Sequence, residues 1–132
     1  MEEEVSKEPL LILSYLYIQH FKYDKAITLL RALRKLYPKD LDILRSLSYA
    51  LLKVGDFQSA LKMAEKSLHP NLPLKDQIAC RIIISRALWG LGREEAARQA
   101  ANQLIKDRTE LHQKELQKHE AKILEESTTE GV

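Results

Sequence analysis

The sequence predicts an all-α fold built from three helical hairpins, followed by a charged helix at the C-terminus. Three observations predict it. Ala26, Ala60 and Ala97 each sit in a Leu- or Ala-rich stretch, 34 and then 37 residues apart, and a small residue recurring at that period marks a helical-hairpin repeat. Long stretches lack helix breakers, since the chain has only four Gly and four Pro. Those breakers gather at a few places that read as turns.

The first unit spans about residues 7–40. Ser6 is placed to cap its first helix, and Pro9 falls in the first turn, where its missing N–H does no harm. Phe21-Lys22-Tyr23-Asp24 reads as the turn, a second helix runs to about Leu36, and Tyr37-Pro38-Lys39-Asp40 closes the unit. The second unit spans 41–73. Asp40 or Asp42 starts its first helix, Gly55-Asp56 breaks it, and the second helix runs to Leu68 before His69-Pro70-Asn71-Leu72-Pro73. The third spans 74–106, with Gly90-Leu91-Gly92 as its turn. The three extra residues of the 37-residue interval fit the Pro-rich link at 69–73, where added length costs little.

These units resemble the tetratricopeptide repeat. In that family a small residue of the first helix packs on an Ala of the second. The resemblance implies the pairs Ser14 with Ala26, Ser48 with Ala60, and Ser85 with Ala97. The large positions are filled by Leu13 and Tyr17, Leu47 and Leu51, and Ile84 and Leu88. Gly55-Asp56-Phe57 is the family's typical turn, and Gly92-Arg93 echoes it. The closing Pro is Pro38 in unit one, is displaced to Pro70 and Pro73 in unit two, and is replaced by Thr109 in unit three. The resemblance covers about residues 7–109 and implies a short right-handed solenoid.

Beyond Lys106 the character changes. Residues 107–126 are dense in charge, with Glu110/Lys114 and Lys122/Glu126 at helical pair spacing. His112, Leu116, His119 and Ile123 form a thin apolar stripe. The segment is expected to be a helix that extends or caps the solenoid, because a terminal repeat needs a polar outer face. Residues 1–6 are expected to be flexible and 127–132 to be a disordered tail.

Composition narrows the function. Hydrophobic residues make up 45% and charged residues 30%, the balance of a globular protein, and the formal net charge is +2. Eight basic against three acidic residues lie between Lys22 and Lys53. Arg31, Arg34 and Lys35 are read there as a solvated helix face, with no nucleic-acid motif beside them. Cys80 is the only cysteine and Met1-Glu2-Glu3-Glu4 is acidic, so a reducing, cytoplasmic setting without a secretory signal is expected. Leu10–Phe21 is too short to span a bilayer. No phosphate loop, zinc motif or nucleophile elbow is present, so neither an enzyme nor a cofactor is expected. His20, His69, His112 and His119 are scattered, and the last two lie two turns apart, too far to hold one metal. Cys80, beside Ile82 and Ile83, reads as a small core residue.

The family resemblance further implies that the first helix of each unit lines a concave face. The inward rows are then Leu11, Tyr15 and Ile18; Arg45, Tyr49 and Leu52; and Ile82, Arg86 and Trp89. Tyr, Trp and Arg are residue types that dominate interface energetics. Some family members clamp a C-terminal carboxylate there with Lys and Asn. The matching positions are Leu11, Ile12, Tyr15, Arg45, Ser46 and Tyr49, which depart from that pattern and suit an amphipathic helix or apolar extended segment instead. From Pro9 to Phe21, nine of thirteen residues are large and apolar or aromatic, more than a one-sided helix needs. Size, unit number and groove chemistry are similar to the small tetratricopeptide chaperones of bacterial type III secretion. That likeness implies a protein partner from a secretion system and, for some members, a second small helical protein. The alternative is a structural scaffold or a homodimer formed through the first helix.

Overall fold

The computed structural model describes residues 6–130, with side chains to residue 128. Residues 1–5 and 131–132, which carry parts of the expected flexible ends, lie outside the described residues. All the regular structure described is helical: α1 (Lys7–Gln19), α2 (Tyr23–Leu36), α3 (Leu41–Lys53), α4 (Phe57–Ser67), α5 (Leu74–Gly90) and α6 (Glu94–Glu130). Each helix packs on the next in the chain. In addition α1 touches α3 and α3 touches α5, so the odd-numbered helices form one layer.

Three turns with the same hydrogen bonds make the hairpins. α1, α3 and α5 each end on a left-handed residue: Phe21 (φ 60°), Gly55 (φ 84°) and Gly92 (φ 78°). At each turn the following N–H reaches back five residues: Lys22 to the Tyr17 carbonyl, Asp56 to Leu51 and Arg93 to Leu88, at 2.8–3.0 Å. The left-handed residue's own N–H bonds to Ile18, Leu52 or Trp89. This cap satisfies carbonyls that a helix end otherwise leaves open. Glycine adopts that conformation without strain; Phe21 does not, and its ring is 78% exposed.

The turns set where small residues fall. Ser14 and Ser48 lie seven residues before the left-handed residue and are buried; Ala26, Ala60 and Ala97 lie five after it and are buried too. The buried hydroxyls are satisfied within their own helix, Ser14 Oγ donating to the Leu11 carbonyl at 2.6 Å and Ser48 Oγ to Leu44 at 2.8 Å. Ser85, only half-buried, does the same with Ile82 at 3.0 Å. Around these positions Leu30, Leu33, Ile43, Leu47, Leu51 and Leu61 form the core. Gly90 permits a second close approach: a Cβ there would meet the Phe57 ring at 2.6 Å, which seats α4 against α5.

Several ends differ from expectation. Ser6 makes no capping bond; its hydroxyl meets Glu8 instead. Asp40, rather than Asp42, caps α3 through the Ile43 N–H at 3.2 Å, and Asp56 caps α4. Asp40 also pairs with Lys7 of α1. The 69–73 link is pinned, because Leu72 is buried and Gln77 Nε2 donates to the Leu72 carbonyl at 2.9 Å.

α6 is one continuous helix. Its last buried residue is Asp107, 6% exposed, held by Arg81 of α5 at 2.8 Å and by Gln103. The Arg81–Asp107 contact is a charge pairing without an aligned hydrogen bond. After it Leu116, Ile123 and Leu124 are exposed, as are His112 and His119, and the helix extends about 35 Å further at 1.5 Å per residue. Its surface does carry the Glu110–Lys114 pair, at 3.1 Å. The helix continues through Ser127 to Glu130, where a disordered tail was expected, and the Thr128 hydroxyl donates to the Leu124 carbonyl at 2.7 Å within it.

Two outcomes follow for stability. Phe21→Gly should stabilise the fold by about 1 kcal/mol, while Gly55→Ala should lose about 1 kcal/mol, both read by urea denaturation. Burial works to raise the Asp40 carboxyl, but bonds from Lys7 and the Ile43 N–H outweigh it and hold the group below its ordinary 3.8. Its stabilisation is therefore complete above that value and lost as pH falls through the lower, folded one. Asp40→Asn keeps a capping oxygen and loses the charge. Its deficit should be about 0.5 kcal/mol at neutral pH, after allowing for solvent screening, and should vanish in acid. A deficit independent of pH would contradict the pairing.

Candidate protein-binding groove

The layer of α1, α3 and α5 carries a groove of about 380 Å³. Tyr15 and Ile18 come from α1; Arg45, Ser46, Tyr49 and Leu52 from α3; Ala79, Ile82, Ile83 and Arg86 from α5. In each helix these positions are three or four residues apart, apart from the adjacent pairs Arg45/Ser46 and Ile82/Ile83, so one stripe per helix faces one hollow. Buried Leu52 and Ile83 make the floor, and Tyr15, Tyr49 and Ile82 stay partly open to solvent.

Seven of the nine candidate residues thus line one groove, and two do not. Leu11 is only 8% exposed and belongs to the core. It shares the helix face of Ser14, which is buried in the same packing, so it is structural rather than a contact for a partner. Trp89 is 65% exposed and stands outside the groove. It lines a second hollow of about 380 Å³ between α5 and α6 with Ser85, Arg86, Ala97, Arg98 and Ala101. Arg86 borders both hollows. Ala79 and Ile83 were missed, and Ser46 was named only among the carboxylate-clamp positions. Ala79 and Ile83 lie three before Ile82 and one after it, and spacing alone could not say how wide a strip of α5 faces inward.

The two arginines differ in kind. Arg45 is tied on both sides, to Asp42 at 2.5 Å and to Asp76 of α5 at 2.8 Å. Its charge is spent on joining α3 to α5. Arg86 is exposed and makes no ion pair among the described residues. Tyr49 carries the Lys53 ammonium 5.4 Å from its ring centre, a cation–π contact that fixes the ring at the rim. The groove therefore offers an apolar bed with one free guanidinium at its edge.

The apolar surplus of α1 is also visible. Ile12 is 57% and Leu16 45% exposed, and Leu13 and Tyr17 line a hollow of about 490 Å³ between α1 and α2. No set of three or more His, Cys, Asp or Glu among the described residues is placed to hold a metal. Burial pushes the Cys80 thiol up, away from the reactive thiolate. No described helix is long and apolar enough to cross a membrane. No protein-family model matches the chain, and no curated protein matches it.

Cys80 reports on the groove's rigidity, because it lies on α5 four residues from Asp76, the partner of Arg45. Its reaction with an aromatic disulfide reagent should be at least about 100-fold slower in the folded protein than in urea, since a buried thiol reacts through opening. Arg45→Ala should speed the native reaction by about ten-fold by releasing α5 from α3. An unchanged rate would show that the bridge does not hold the two helices.

Proposed function

We propose that the chain is a three-unit tetratricopeptide-like binding protein that holds an apolar segment of another protein in the α1/α3/α5 groove. The identical turns at Phe21, Gly55 and Gly92 support the repeat reading, since they recur at the same 34- and 37-residue steps as the alanines. The single observation that supports the binding reading is the groove itself. Side chains from three helices, far apart in sequence, present apolar and tyrosyl surface to solvent around one hollow. Leaving such surface open costs solubility and contributes little to the fold, and an amphipathic helix or extended apolar strip has the shape to cover it. A chaperone for a secretion-system subunit in the cytoplasm is the role in keeping with the three hairpins and the chemistry of the groove.

The exposed edge of α1 favours a second reading, a scaffold or homodimer. Ile12 and Leu16 are exposed and do not line the groove, which is more apolar surface than a one-sided helix needs.

One pair of experiments separates the two. A partner co-purified from the source cells should bind Tyr49→Ala and Ile82→Ala about 30-fold more weakly, the effect of losing an interface hot spot of about 2 kcal/mol. Circular dichroism should show both variants folded. Undiminished binding in both would remove the groove reading. The scaffold reading requires a stable dimer of the chain alone in light scattering, broken by Ile12→Lys with Leu16→Lys while Tyr49→Ala leaves it whole.

A further inference from the structure

We propose that the cleft between α2 and α4 docks an acidic segment of a partner protein, anchored by one apolar side chain. α2 and α4 do not touch each other; both pack on α3, which leaves a gap of about 280 Å³ between them. Arg31 and Arg34 line one wall and Lys62 and Lys66 the other, while Leu51 of α3 and Met63 lie between. None of the four cations makes an ion pair among the described residues. The acids within α2 and α4 are Asp24, at the far end of α2, and Glu65, which pairs with neither lysine.

This arrangement works against the fold. Like charges three and four apart on a helix repel, and two such pairs face each other across a narrow gap. A solvated surface has no need to concentrate them over an apolar floor. A ligand with carboxylates on two sides of an apolar residue answers both features: the carboxylates meet the two walls, and the apolar group covers the half-buried, adaptable Met63 above buried Leu51. A nucleic acid fits less well, because the cleft offers no aromatic ring for stacking and phosphates have no use for its floor. A membrane surface fits less well too, because a recess inserts nothing into lipid. The cleft is separate from the groove, which α1, α3 and α5 line, so the inference stands whether or not the groove binds a partner.

The test is fluorescence anisotropy with a labelled twelve-residue peptide of glutamates around a central leucine, at low salt. A peptide with glutamine at the centre, a short DNA duplex and anionic phosphatidylserine vesicles serve as comparisons. The leucine peptide should bind about five-fold tighter than the glutamine one, because only it covers the floor. Binding should weaken about ten-fold in Arg31→Gln with Lys62→Gln, and return in the charge-keeping pair Arg31→Lys with Lys62→Arg. Both positions are exposed and the neutral pair relieves their repulsion, so a thermal melt no lower than that of the unaltered protein should accompany the loss. Equal affinity for the two peptides, no binding of either, no loss in the neutral pair, or tighter binding of DNA or vesicles would each overturn the proposal.

Discussion

The left-handed residue that ends α1, α3 and α5 is the constraint on which the rest of the molecule depends. A helix that stops on such a residue turns the chain back within a few peptides and satisfies its own last carbonyls. That turn fixes register. Counting from Phe21, Gly55 or Gly92, the serine lies seven residues earlier and the alanine five later, three times over. Small side chains allow neighbouring helices to approach closely. Where the turn lies, the small residues must follow, and where they are buried the core leucines close around them. Phe21 shows how strong the constraint is, since the geometry is kept there by a residue that has no ease with it.

From that register the layers follow. Sequential packing alone would allow many arrangements, but α1–α3 and α3–α5 contacts put the odd helices side by side. One surface then gathers Tyr15, Tyr49 and Ile82 into a groove, and another leaves α2 and α4 apart over α3. Ion pairs lock the layer across helices: Lys7 with Asp40 joins α1 to the start of α3, Arg45 with Asp76 joins α3 to α5, and Arg81 with Asp107 joins α5 to α6. Each takes charge out of solvent at a helix junction rather than at a site of chemistry. Of the arginines bordering the proposed groove, only Arg86 keeps its charge for a partner.

Much of this was legible in the chain. Helices and turns could be read because their signals are local: a glycine that tolerates positive φ, a proline that stops a helix, an aspartate that caps one. The inward rows were legible as stripes, but a stripe does not say how deep it lies. Leu11 and Tyr15 are one turn apart on the same face, and packing covers the first and leaves the second at the groove. Trp89 continues its row correctly and still falls outside, because α6 adds a second hollow beside α5. Asp107 looked like the first of a run of solvated charges; only the arrival of Arg81 from another helix makes it a buried one.

The sequence by itself determined where this chain is helical, where it turns, and which small residues recur at those turns, because backbone preference acts over a few residues. It also determined that α1 is more apolar than a one-sided helix needs. Only the tertiary structure decided which charges meet. Arg31 and Arg34 look like an ordinary solvated face until folding brings Lys62 and Lys66, some thirty residues on, to the opposite wall. Charge and burial depend on neighbours from distant parts of the chain, and no local pattern names those neighbours.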